Sequence, residues 1–182
     1  MPTTHSLRPN LDRQEAIRRF STRGVSGVLR SALWGPLRSL ADVYVPFRLY
    51  SVEIRNGARA ELQLLALDAV RGSLDLYGFP QLPGPSELVP VETRNCVPAA
   101  LEEAHAEEIL LDRVRRQLFR ASFFRLRGLR LSVERIPGEF HIPYWIGFFG
   151  SGEHAHLAVI DAVRGCFEGP KARDLFESWL MG

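Results

Sequence analysis

The chain has 182 residues, 46% of them hydrophobic, with a formal net charge of +2. Such a composition excludes a disordered chain, and 21 acidic residues against 23 basic ones leave no strong field seeking a polyanion. The longest notable apolar run, Ile142 to Phe149, covers eight residues, whereas a membrane-spanning helix needs about twenty.

Residues 1 to 10 are polar, lack the apolar core of a signal peptide, and read as a flexible tail of a cytoplasmic protein. Asp12 is placed to cap a helix over residues 13 to 33, where Ile17, Phe20, Val28, Leu29 and Leu33 partly follow helical spacing. Gly24 and Gly27 weaken that helix, and Trp34-Gly35-Pro36 ends it. A strand is expected over 40 to 45, followed by hairpin arms at 47 to 54 and 61 to 68 about Asn56-Gly57. Leu62, Leu64 and Ala66 share one face of the second arm, and Leu65 and Leu67 the other, which fits a strand covered on both sides. Residues 73 to 79 form another short strand candidate. Residues 80 to 100 read as a Pro-rich linker, with four prolines between positions 80 and 90.

The strongest helical pattern runs from Glu102 to Phe124. Glu102, Glu103, Glu107 and Glu108 crowd its start and Arg113, Arg115, Arg116 and Arg120 its end, which complements the helix dipole. Leu111, Val114, Leu118 and Ala121 supply its apolar stripe. Residues 129 to 136 alternate as a strand, Pro137-Gly138 is expected to reverse it, and 140 to 149 to return. Residues 154 to 160 then pair back after Gly150-Ser151-Gly152. Gly169-Pro170 opens a C-terminal helix with Leu175, Phe176, Trp179 and Leu180 on its apolar side.

One segment occurs twice: Asp68-Ala69-Val70-Arg71-Gly72 and Asp161-Ala162-Val163-Arg164-Gly165. Upstream, Val45-Pro46-Phe47 corresponds to Ile142-Pro143-Tyr144. The spacing from proline to aspartate is 22 positions in the first copy (68 − 46) and 18 in the second (161 − 143). The difference is even, so every strand residue keeps its face. Asp68 and Asp161 are read as turn formers, their carboxylates accepting backbone N–H bonds. Gly72 and Gly165 supply the left-handed conformation of a tight reversal. These matches predict an α+β fold: an internal duplication of a helix plus an antiparallel strand meander, related by a pseudo-two-fold. The first αβββ repeat spans 11 to 79, and the second, with its C-terminal helix, 101 to 182. Exposed strand edges at either end make a homodimer plausible.

The order helix, strand, strand, turn, strand, with Asp-Ala-Val-x-Gly closing the second hairpin arm, resembles the PepSY module and its cystatin-like relatives. Those modules commonly hold Asp-Ala-x-Thr-Gly there, where this chain has Arg71 and Arg164. The resemblance touches Asp68 to Gly72 and Asp161 to Gly165. It implies a fold and a non-catalytic habit of engaging partners or ligands, and carries no catalytic residue over.

Candidate chemistry is sparse. Phe47 and Tyr50, with His141, Tyr144 and Trp145, are aromatic enough to line a groove for a protein partner or a small apolar ligand. The plainer reading places these rings in the core. His141 and Tyr144 with a carboxylate are also the candidates for an acid–base site in a small enzyme. His154 and His156, two apart on a strand, could share a metal, but no third ligand is in view. Of 23 basic residues only Lys171 is lysine. Seven of the arginines (Arg113, Arg115, Arg116, Arg120, Arg125, Arg127 and Arg130) interleave with Phe119, Phe123 and Phe124, superficially suiting single-stranded nucleic acid. The acidic start of the same helix argues against it. Cys96 and Cys166 stand alone, with no CxxC spacing or histidine partner. No cofactor is implied, and the leading expectation is a non-catalytic binding module.

Overall fold

A computed structural model describes residues 3–21, 34–121, 128–150 and 155–182. In chain order these form β1 (Thr3–Leu7), α1 (Arg13–Ser21), β2 (Leu37–Asn56), β3 (Arg59–Asp68), β4 (Tyr77–Phe79), β5 (Leu88–Glu92), α2 (Glu103–Ala121), β6 (Leu129–Phe149), β7 (His156–Asp161) and α3 (Pro170–Met181). The expected second half of the first helix (22 to 33), the last turn of the Arg-rich helix (122 to 124), Ser151-Gly152 and His154 lie outside the described residues.

The predicted α+β duplication of a helix plus antiparallel meander is not what forms. The described chain is 46% strand and 25% helix. Its strands make one seven-stranded sheet in the order β4-β3-β2-β6-β1-β5, with β7 pairing β6 off that path. The sheet is mixed, because β1 runs parallel to β6 at Ser6↔His141. Two local features account for the difference. Pro137-Gly138 does not reverse the chain: Gly138, at φ 110°, carries the strand onward, so β6 is one strand of 21 residues. The polar tail and the Pro-rich linker are also structured, pairing antiparallel as β1 and β5 from Thr3↔Glu92 to Leu7↔Leu88. Ser6, fully buried there, donates its hydroxyl to the carbonyls of Leu7 and His141.

The chain divides into two compact units that do not follow its halves. One comprises Met1–Val45, Leu88–Val97 and His141–Gly182; the other comprises Pro46–Glu87 and Pro98–Phe140. In the second unit α2 covers the β2–β3 hairpin through Ala106, Leu110 and Val114, against Tyr50, Val52, Ile54, Leu65 and Leu67. In the first, Leu11, Ala16 and Phe20 of the α1 region pack against Phe149, Ala158, Ile160 and Ala162 of the β6–β7 hairpin. The first helix thus covers the later hairpin, although the sequence places it beside the earlier one.

Both Asp-Ala-Val-Arg-Gly segments turn by the same chemistry. Asp68 Oδ1 accepts the amides of Arg71 and Gly72, each at 2.9 Å, and Oδ2 accepts that of Leu74 at 2.8 Å. Asp161 Oδ1 accepts the amides of Val163 and Arg164, each at 2.8 Å. Gly72 and Gly165 sit at φ 62° and 68°. The Ala69 amide bonds the Pro46 carbonyl, and the Ala162 amide that of Pro143. Each turn also holds the lead-in to its helix. The amides of Ala100 and Leu101 both reach Ala69 O, and those of Asn10 and Leu11 both reach Ala162 O. An arginine one helix away closes each arrangement: Arg113 donates to the Gly72 and Leu74 carbonyls, Arg19 to that of Gly165.

Candidate functional site

The five aromatic and histidine candidates are divided between the two units, and three of them, Phe47, Tyr50 and Tyr144, are buried. Phe47 and Tyr50 belong to the second unit and are 0% exposed. Phe47 packs edge-on to Tyr77, with centroids 5.8 Å apart. Tyr144, 2% exposed, belongs to the first unit and lies 5.6 Å from the Phe176 ring. Trp145 packs at the edge of the α1 cluster and donates its indole N–H to Leu11 O at 2.9 Å. His141 is half-buried, with its Nδ1 2.7 Å from Thr4 Oγ1. These side chains hold the fold.

Of the other candidates, His156 stacks on the Trp34 ring at 5.1 Å, and its intended partner His154 is outside the described residues. Among the described residues no group of three or more His, Cys, Asp or Glu side chains is placed to hold a metal. Arg113 points into the Gly72 loop, Arg116 pairs with Asp112, and Phe119 is exposed. Phe123, Phe124, Arg125 and Arg127 lie outside the described residues. Burial pushes the Cys96 thiol up; burial and then Glu168 and Asp161 push up that of Cys166. Both are free, and the raised thiol pKa leaves little thiolate, which makes them weak nucleophiles. No helix among the described residues is long and apolar enough to cross a membrane.

The second unit carries a charge cluster that local sequence patterns did not reveal. Arg48 Nη1 donates to Leu101 O at 2.7 Å and lies 3.6 Å from Glu103 Oε2. Its Nε is buried without a hydrogen bond, 3.6 Å from Glu139 Oε2. Glu103 also takes Arg135 Nη1 at 2.7 Å and the Tyr50 hydroxyl at 3.1 Å. In the first unit Trp145 makes the corresponding carbonyl bond with a neutral group, so the charges are not demanded by the turn itself. An open depression of about 380 Å³ adjoins the same segment, lined by Val70, Arg71, Ala100, Leu101, Glu102 and His105. Every acid and base of the cluster faces an opposite charge, so its chemistry is that of a clamp.

That clamp has a pH signature. Burial, and then the Glu103 carboxylate, push the Tyr50 hydroxyl up to about 12. Tyr44 is likewise pushed up to about 12 by burial and Asp42. A free tyrosine ionises near about 10, and the folded state favours the neutral phenols. Their contribution to stability is complete below the unfolded value and is lost as pH rises through the folded one. Denaturation midpoints are expected to fall between pH 10 and 12, and Tyr50→Phe to flatten that fall. An unchanged slope in the variant would remove Tyr50 from the account.

The exposed feature of this unit is the flank of β3. β2 pairs with β3 from Asn56↔Arg59 to Phe47↔Asp68. Gly57, at φ 62°, is followed by Ala58 with negative φ, the pattern of a II′ turn. Asn56 and Arg59 close this two-residue loop and exchange the first ladder bonds. Counting on by twos, Arg59, Glu61 and Gln63 bond towards β2. Ala60 and Leu62 aim their N–H and C=O groups to the other side. There β4 covers only Leu64 to Ala66 and ends at Phe79. Among the described residues no strand pairs the flank of residues 59 to 63. Leu62 is 66% exposed on the face it shares with half-buried Leu64. The turn dipeptide was a visible signal of this hairpin, but which part of β3 is paired depends on where β4 docks.

The chain matches no protein-family model, no curated protein and no solved structure.

Proposed function

We propose that this chain is a non-catalytic protein-interaction module, which takes up an extended polypeptide segment along the open flank of β3. The observation that carries the reading is the stretch of residues 59 to 63, which no strand among the described residues pairs beyond the end of β4 at Phe79. Two outward residues, Ala60 and Leu62, offer two donors and two acceptors to an added strand. The exposed Leu62 side chain offers it an apolar contact. The non-catalytic part of the reading is supported by how the polar side chains are engaged. Asp68 and Asp161 hold turns, Glu103 holds Arg135 and Tyr50, and His141 meets Thr4. A small apolar ligand at the aromatic residues is disfavoured by the complete burial of Phe47 and Tyr50.

The test is a random-peptide display panned against the full chain, followed by amide hydrogen exchange on the enriched complexes. Extended peptides are expected to slow exchange at Ala60 and Leu62. Leu62→Pro, which removes an outward N–H and no β2 bond, should abolish binding while leaving the thermal transition in place. Peptides that protect amides elsewhere, or no enrichment at all, would reject the reading.

A further inference from the structure

We infer that the strand taken up by this flank is the same flank of a second copy, in one register. The inference rests on the edge reading above and names the partner. Three two-fold antiparallel registers bring residues 59 to 63 of two chains together. Centring on Leu62 sets Ala60 opposite Leu64, whose outward groups already bond Phe79 of β4. Centring on Glu61 sets two carboxylates directly opposite each other, which is destabilising. Centring on Ala60 avoids both conflicts. Ala60 faces Ala60 as a hydrogen-bonded pair, and its small side chain lets the strands approach. Arg59 then faces Glu61 of the other chain, and by symmetry Glu61 faces Arg59. Both residues lie on the face shared with Ile54 and Asn56, fixed by the pairs Ile54↔Glu61 and Asn56↔Arg59. Both are exposed. One chain thus carries a self-complementary charge pair on an edge that no strand among the described residues pairs. The edge is short, so the dimer is weak and appears only as concentration rises.

Sedimentation velocity of the full chain across a concentration series is expected to show monomer passing to dimer. Glu61→Arg opposes two arginine pairs and should weaken self-association on the order of tenfold, about 1.4 kcal/mol. Arg59→Glu should do the same, and the double exchange should restore the dimer. Hydrogen-bonded partners lie about 5.5 Å apart at Cα, within the disulfide range of about 4.4–6.8 Å. In a Cys166→Ser background, mild oxidation should therefore cross-link A60C, and Q63C far less. A chain that stays monomeric throughout, a double exchange that fails to restore association, or equal cross-linking of both variants overturns the inference. If the monomer still binds displayed peptides at Ala60 and Leu62, the dimer falls and the edge reading stands.

Discussion

Asp68→Ala is expected to lower the free energy of unfolding by about 3–5 kcal/mol, measured by chemical denaturation at neutral pH. The carboxylate is fully buried and accepts three backbone amides, from Arg71, Gly72 and Leu74. Each buried donor left without a partner costs about 1–3 kcal/mol. The loss spreads beyond the turn. Gly72 and Leu74 present their carbonyls to Arg113, whose guanidinium burial draws its pKa down while Asp68 and Asp75 oppose that shift. Without Asp68, a half-buried cation on α2 keeps its two carbonyl bonds only if the loop holds its shape unaided. The turn also depends on glycine at 72, where φ is 62° and a side chain would meet Ile109 Cδ1 at 3.0 Å. Asp68→Asn should fall between wild type and alanine, because an amide presents one acceptor where the loop needs two. Stability of Asp68→Ala within about 1 kcal/mol of wild type would show that solvent or a rearranged loop replaces the carboxylate. With net stabilities of about 5–15 kcal/mol, the expected loss threatens the fold itself.

Trp145→Ala should cost about 3–5 kcal/mol, the range for deleting a large aromatic from a packed site. Two effects combine. The ring leaves the cluster built on Leu11, Ala16, Phe20 and Ile160, and Leu11 O loses its indole donor. Trp145→Phe separates them: it keeps most of the ring and removes the N–H, so about 1–2 kcal/mol is expected from the carbonyl alone. The ratio of the two losses decides whether Trp145 is a wedge or a tether. Equal losses would mean that the single bond to Leu11 O carries the site. Negligible losses in both would return Trp145 to the list of side chains available to a ligand.

Structure assigns the polar side chains of the two aspartate turns roles that sequence chemistry anticipates. An aspartate followed four positions later by glycine has few other uses, since an acceptor is needed for donors just ahead and a positive φ for the reversal. The same local reach explains why the hairpin tip falls within one residue of Asn56-Gly57, at Gly57-Ala58, and why the starts of α2 and α3 were legible. Elements that depend on a partner distant in sequence carry no such local signal. β1 is polar and short, and becomes a strand only because Leu88–Glu92 lies antiparallel beside it. Pro137-Gly138 has the composition of a turn, yet lies within one continuous strand that pairs with β2, β1 and β7.

Amino-acid order alone determined the things that short-range sterics and hydrogen bonding control: two aspartate turns, a hairpin reversal beside Gly57 and the amphipathic stripes of the helices. Tertiary structure decided which hairpin each helix covers, the burial of Phe47, Tyr50 and Tyr144, the grouping of Arg48, Glu103, Arg135 and Glu139, and the strand flank left uncovered. The physical reason is that an apolar face specifies only that it must be hidden. Hydrophobic burial is non-directional, so α1 satisfies it as well on β6–β7, some 130 residues away as the Trp145–Leu11 bond shows (145 − 11 = 134), as on the hairpin that follows it.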